Sequence, residues 1–516
     1  MKATLACIAP TEAAVEAGRP CLTPEMLAAT GAKYSRNNEG LESIISKIDF
    51  GTRTGVINSI EEWMLSCHED GLESLDANDE MEVLCRLATK LAESTKANLD
   101  KGVDGIFKMI DYGHQSIADM CPVAVFMDDV SLYLAYHLWS MCSVVGGQES
   151  STRYIKISID GIIDHTQLGI SPDKLPSWRK NVEDGFVNYQ KSVDFWTKLS
   201  TDNPEVMRIP ESVLNDTSEK GLKVIDRMRR NYVFDRSRYF LPMGAATNVM
   251  MVMSAREWVA LVNDLLSNPH KEFNTLGEIL LPELALITPR MIKHAQASSP
   301  TIDLIIDEYE SLQHKVDDIW NAVKNIEDFP GSTAPIPRLF VNYPSDVNPS
   351  VDFPQAMAHR KNRYSRFGQA IRRTMVRFGW NAVAMAEIRD LNRHRTGEKY
   401  CPLVPLGFYA ALDQVPSGVN CDELSALARW GYDMSAVARE NFKNGDWGYM
   451  YDTFLGTQFP FEHTTTANKF IYEAELRTGM GAHYRYAAHL KGVLSLWYQE
   501  FKETKGLIIE GSAEPE

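Results

Sequence analysis

The sequence predicts a mixed fold, rich in helix and poorer in strand, on three observations. Ile302, Ile305, Tyr309, Leu312, Val316, Ile319 and Val323 recur every three or four residues, with Asp303, Asp307, Glu308, Lys315 and Asp317 elsewhere around the turn. That spacing makes one apolar stripe on an amphipathic helix. Residues 329–337 (FPGSTAPIP) then collect helix breakers, and a boundary between two parts of the chain is expected there. Strand signals are few: residues 123–126 form a short apolar run after Cys121-Pro122, and residues 153–159 (RYIKISI) alternate with a period of two and are β-branched.

The remaining segments follow in order. Residues 160–230 are polar and helical in pattern, with turn signals at Ser171-Pro172-Asp173 and Asp202-Asn203-Pro204, and read as an insertion. Residues 381–395 read as one helix ending in Arg393-His394-Arg395. Arg360, Lys361, Arg363, Arg366, Arg372, Arg373 and Arg377 crowd one stretch, with Arg366, Arg373 and Arg377 near one helical face; a solvated basic face and an anion-binding role both fit. The last residues, EGSAEPE, read as a disordered acidic tail.

Composition bounds the function. A length of 516 residues suggests about two to four domains. Hydrophobic (44%) and charged (24%) contents are ordinary for globular proteins. The net charge of −16 excludes a nucleic-acid coat or a membrane-surface binder, so any polyanion site must be a local basic pocket. The eight cysteines form no C-x-x-C pair and no close cluster with histidine, which argues against zinc and fits a reducing compartment. MKATLACIAPTEAAVEAG is a poor signal peptide. The most apolar stretch, 249–262, is broken by Ser254, Arg256 and Glu257, short of the roughly 20 residues that span a bilayer. A soluble, cytoplasmic protein is expected, without nucleic-acid or membrane partners.

Six segments carry groups suited to chemistry. Tyr112-Gly113-His114-Gln115-Ser116 precedes an apolar run, and Gln148-Glu149-Ser150-Ser151-Thr152-Arg153-Tyr154 follows Gly146-Gly147. Arg153 and Ser151 suit a phosphate, as a charged fork and a hydroxyl donor, and Glu149 suits a ribose hydroxyl or an amide; a surface loop with an internal Glu–Arg pair is the plainer account. Arg236-Ser237-Arg238-Tyr239-Phe240-Leu241-Pro242 comes before Ser254-Ala255-Arg256. In the second half, Asp390-Leu391-Asn392-Arg393-His394-Arg395 puts cations at a helix end, which attracts anions and also complements the helix dipole. Glu475-Leu476-Arg477-Thr478 is followed by a glycine-rich turn.

In order and spacing, G-H-x-S, an apolar segment, R-H-R, E-x-S-x-R-Y, R-x-x-L-P and a late E-L-R-T resemble the flavin-dependent thymidylate synthases. The resemblance runs over the chain twice, about 1–300 and about 338–516. The first copy keeps His114, Ser116, Glu149, Ser151, Arg153, Arg238 and Arg256, but has Trp139-Ser140-Met141-Cys142-Ser143 at R-H-R and Leu265 at the late arginine. The second keeps Arg393-His394-Arg395 and Arg477, has Thr396-Gly397-Glu398-Lys399-Tyr400-Cys401-Pro402 in place of E-x-S-x-R-Y, and has no G-H-x-S.

The resemblance implies an α+β fold in two tandem domains, each a mainly antiparallel sheet flanked by long helices. The first is expected over 1–330, with a helical insertion at about 160–230 and a trailing helix at 301–326; the second over 338–516. Family enzymes are homotetramers with sites built between subunits. A duplicated chain is therefore expected to form a homodimer and to share one composite site between its complementary halves. The implied reaction is reductive methylation of dUMP to dTMP with FAD, methylenetetrahydrofolate and NADPH. The implied flavin contacts are His114, Ser116, Glu149, Arg256, Arg393, His394 and Arg395. Ser151, Arg153 and Arg238 are expected on the nucleotide phosphate, and Arg477 on the uracil carbonyl and N3, stabilising charge as C5 becomes nucleophilic. No metal is implied. No cysteine nucleophile is required, and Cys401 is read as structural. Two alternatives stay open: C5 alkylation of another pyrimidine nucleotide, and a flavin- or nucleotide-binding scaffold without turnover.

Overall fold

A computed structural model of the chain describes residues 1–6, 13, 17, 22–34, 115–142, 146–153, 155–479 and 481–511. The first half runs β1 (Lys2–Ala6), α1 (Pro24–Tyr34), β2 (Pro122–Ser131), α2 (Leu132–Met141), β3 (Gly146–Glu149), α3 (Leu175–Asp202), α4 (Glu219–Ser237), β4 (Ala246–Ser254), α5 (Ala255–Ser267) and α6 (Lys271–Ala285). Helix α7 (Ser299–His314) leads to β5 (Pro337–Asn342), α8 (Pro349–Met357), α9 (Gln369–Arg373), β6 (Met375–Ala384), α10 (Met385–Asn392), β7 (Glu398–Tyr400), α11 (Asp422–Lys443), β8 (Gln458–Thr466), α12 (Ala467–Thr478) and α13 (Tyr484–Glu500).

Each half contributes a four-stranded antiparallel sheet. The orders are β1-β2-β4-β3 and β5-β6-β8-β7. In both, the second strand carries one extra residue near its end. Met127 and Val130 face Val249 and Thr247, while Trp380 and Val383 face Phe461 and Phe459. A bulge of this kind bends the strand, and both strands run at once into a helix, α2 or α10.

The halves meet at the turns before β4 and β8. Pro242 bridges Phe454, Met243 N–H donates to the Thr453 carbonyl (3.0 Å), and Leu455 N–H donates to the Leu241 carbonyl (2.9 Å). Buried side chains from both halves, among them Trp258, Phe273, Trp497 and Phe353, belong to one continuous apolar core. Among the described residues, no helix is long and apolar enough to cross a membrane.

Several expectations are adjusted. Residues 123–126 do lie in a strand, β2, but the described residues of 153–159 form no strand: Ile155 and Ile159 are exposed, and among the described residues no neighbouring strand pairs with them. Residues 381–395 are not one helix, since 381–384 finish strand β6. Arg366, Arg373 and Arg377 share no helical face, because Arg373 ends α9 and Arg377 lies in β6. The 302–323 stripe is helical with a break at Lys315, and its Tyr309 stacks on Trp447 (3.8 Å, 18°). Residues 160–230 are mainly α3 and α4, joined by edge-on contact of Trp196 with Tyr232 (6.0 Å).

Candidate active site

Helix α10 starts where strand β6 ends, so its side chains are aimed by the sheet. Arg389 and Arg393 are one turn apart, and both face the 149–153 segment that leaves β3 in the other half. Glu149, Ser151, Thr152, Arg153, Arg238, Arg389, Asp390 and Arg393 line one polar cleft, so five of the expected residues come together there.

Glu149 pairs with Arg389, and its other oxygen accepts from Trp139 Nε1 (3.1 Å). Arg153 lays its fork on Asp235, with Nε and Nη2 each 2.8 Å from a carboxylate oxygen, while Nη1 donates to the Gly481 carbonyl (3.3 Å). Arg238 is buried but loosely held. Its polar neighbours among the described residues are Tyr486 OH (3.4 Å), Thr152 Oγ1 and the Ala386 carbonyl (3.5 Å), Asp390 (3.6 Å) and Glu387 (3.7 Å). Such distances are too long for strong charge-assisted bonds. Among the described residues, Arg238 Nε and Arg389 Nε have no hydrogen-bond partner. Buried donors without acceptors are costly, so the cleft, whose open volume is about 20 Å³, is suited to a small oxygen-bearing group.

Asp390 sits among these cations and pairs with Arg393. Burial alone would raise its carboxyl, but Arg393, Arg238 and Arg477 hold it well below the usual range. Glu387, one turn earlier, is pushed up to about 7 by burial, against the pull of Arg238 and Arg485. It accepts from Tyr239 OH (2.8 Å), which lies 3.3 Å from Tyr484 OH, itself 3.3 Å from Tyr409 OH.

Arg477 lies beside the cleft. Its Nε donates to His394 Nε2 (2.7 Å) and its Nη2 to the Asp390 carbonyl (3.1 Å). Burial lowers His394 to about 3, so the ring is neutral and its Nε2 is an acceptor. Beyond it, Glu473 pairs with His463 (3.1 Å). Arg395 donates to the Gly147 carbonyl (3.1 Å) beside the Trp139 ring (5.5 Å). Gly147 must be glycine, because a Cβ there would fall 2.0 Å from the Met250 carbonyl oxygen.

The other expected residues lie elsewhere. Arg256 is exposed and pairs with Asp119 (3.1 Å), and exposed Ser116 belongs to the 3-10 turn Gln115–Met120. His114 falls outside the described residues. Burial pushes the Cys401 thiol up to about 12, which keeps it protonated and unreactive. The expected list omits Arg389, Asp390, Asp235 and Glu387. Arg389 had a signal, as its spacing of four from Arg393 puts both on one helical face; Asp235 had none, since only the fold brings it to Arg153.

Orphaned arginine nitrogens and the partly exposed Arg393 fit an anionic phosphate, whether of a nucleotide or of a cofactor. His394, buried and bonded to Arg477, is oriented as a support for that arginine.

Residues 66–290 match the family model described as thymidylate synthase complementing protein. The match takes in β2 to α6. The crystal structure of a UMP/dUMP methylase, PolB from Streptomyces cacaoi, bound with 5-Br dUMP, is 15% identical to this chain; the likeness covers 41% of this chain and 86% of that one at a TM-score of 0.25. No curated protein matches.

Proposed function

We propose that the chain is a flavin-dependent thymidylate synthase-like enzyme that methylates the C5 position of dUMP at a composite site between its two halves. One observation carries this: the 149–153 segment of the first half and Arg389 and Arg393 of the second line a single cleft with unsatisfied buried guanidinium donors. The matching strand orders and bulges support reading the halves, about 1–330 and 338–516, as a tandem duplication. A homodimer would then stand in for four single-copy subunits.

In this reading Ser151, Arg153 and Arg238 hold the nucleotide phosphate. Arg393 and Arg395 hold an anionic cofactor group, with Glu149 fixed beside them by Trp139. Reduced FAD, when bound, supplies the reducing chemistry that passes a one-carbon unit from methylenetetrahydrofolate, with NADPH as the source of electrons. The work of the protein is positioning and charge. Arg477 is aimed by neutral His394 and by the Asp390 carbonyl, so its guanidinium can face the pyrimidine carbonyl and N3. A fixed cation there stabilises the negative charge that grows as C5 becomes nucleophilic, and it needs no reorientation at that moment.

The test is the absorbance spectrum of purified protein incubated with FAD, before and after dUMP, followed by turnover with methylenetetrahydrofolate and NADPH. A bound flavin that responds to dUMP and forms dTMP is expected; protein that stays colourless and ignores dUMP would sink the proposal. Arg477→Ala should lower turnover by about 10²–10³ while FAD binding persists. A scaffold without turnover is favoured by one observation, that Asp390 and Glu149 already occupy guanidinium groups in the cleft. Bound FAD and dUMP with no dTMP would support it, and products from dCMP or UMP instead would move the substrate.

A further inference from the structure

The basic stretch noted in the sequence has seven cations between 360 and 377 in a chain of net charge −16, and the fold sorts them. Arg360 is consumed by Glu475, with two bonds of 2.7 Å, and lies over the Phe367 ring (3.7 Å). Arg373 forks onto Asp346 (2.9 and 2.7 Å), and Arg377 lies 3.8 Å from Glu462 and 4.6 Å from the Phe340 ring. Arg366 and Arg372 make no ion pair among the described residues, and with His359 they surround one cavity of about 320 Å³ between α8 and α9. Its floor is closed by Gly368, whose N–H donates to the Ala356 carbonyl (2.9 Å) and where a Cβ would lie 2.8 Å from Ala356. Gln355 and Gln369 add amide groups to the rim.

A solvated basic face needs no concavity and gains nothing from cations converging on one. Here carboxylates take Arg360 in the cavity wall and Arg373 and Arg377 off it, and leave the two arginines that border it; Lys361 and Arg363 also make no ion pair among the described residues but lie outside the lining. We propose that this cavity is a second anion-binding site, which takes a multiply charged phosphate group on Arg366, Arg372 and His359. Two guanidinium forks match phosphate oxygens in geometry as well as charge. The cavity wall is tied to α12, because Arg360 pairs with Glu475, two residues before Arg477. The inference is independent of what the cleft between the halves binds.

Calorimetric titration of the full chain with inorganic pyrophosphate tests it, using wild type, Arg366→Ala/Arg372→Ala, and the control Lys361→Ala/Arg373→Ala. The control removes equal charge from the same segment but from outside the cavity. Any pyrophosphate entering the cleft is common to all three proteins and cancels. Wild type should show a site that the cavity variant weakens by at least about tenfold and the control changes by less than about twofold. Equal weakening in both variants would mean diffuse attraction to a basic face, and would overturn the proposal. So would a cavity variant whose isotherm equals that of wild type.

Discussion

Glu387 is the residue where burial and function pull against each other. Its carboxyl lies beside Arg238 and receives Tyr239, Arg485 and Asp390 act on it from further off, and one of its oxygens has no partner. Burial dominates and lifts it from 4.5 to about 7. Between those values the folded protein holds a proton that the unfolded chain has released, so stability falls as pH rises through that window and levels off above it. Glu387→Gln keeps a neutral side chain at every pH. The melting temperature of the variant relative to wild type should therefore climb between pH 5 and 8, by on the order of 2 °C; parallel curves would refute the assignment. Buried Asp452, lifted to about 6, slopes the same way in both proteins and does not affect the comparison. Little of this was legible in the sequence. Glu149, Ser151, Arg153, Arg238 and Arg393 could be singled out because they fall in spaced motifs. Glu387 and Asp235 could not, since their importance comes from what the fold packs against them. His394 was legible as a residue but not in its orientation, because a neutral imidazole accepting from Arg477 depends on burial.

At the scale of elements, the corner from strand to helix decides how each half meets the cleft. In the first half Ser131 builds that corner: its hydroxyl accepts from Leu134 N–H (2.9 Å) and donates to Glu272 (2.7 Å), and its own N–H donates to Glu272 (2.8 Å). Tyr451 from the second half donates to the same carboxylate (2.7 Å). The second half has Ala384 at the matching register, with no side-chain cap. Ser131→Ala removes the cap of α2 and strips a buried carboxylate of one donor, a combined cost of about 2–3 kcal/mol. A clear drop in melting temperature is expected, with Ala384→Ser giving no comparable change; an unaffected Ser131→Ala protein would show that the corner is held by packing alone. The same corner explains why residues 381–395 misread as one helix. The end of β6 is buried on both faces, so its apolar run carries no period of two to set it apart from the helix that follows. Residues 153–159 show the converse: the period of two is present, but among the described residues no neighbouring strand is placed to use it.

At the scale of the molecule, the cleft exists because two turns lock the halves together. Gly456 N–H donates to the Tyr239 carbonyl (2.7 Å), which fixes the chain next to Arg238 against the second half. No side chain fits there: a Cβ on Gly456 would lie 2.5 Å from the Phe408 ring and 2.7 Å from the Tyr409 carbonyl oxygen. Phe408 is fully buried and a backbone carbonyl cannot swing aside, so the Gly456 backbone must shift and take its bond to Tyr239 with it. Complementary motif losses in the sequence pointed to residues of both halves around one cleft, but not to the seam that holds them in register, which is written in a turn rather than a motif. Gly456→Ala should therefore shift Arg238 relative to Asp390 and Glu387. Its effect should exceed plain destabilisation, weakening nucleotide binding at temperatures where the fold is intact by circular dichroism. Gly161→Ala is the control, since a Cβ there meets nothing within 4 Å. Nucleotide affinity lost in Gly456→Ala and kept in Gly161→Ala would tie binding to the seam between the halves. Equal affinity in both, with folded protein, would mean that each half arranges its share of the cleft without the other.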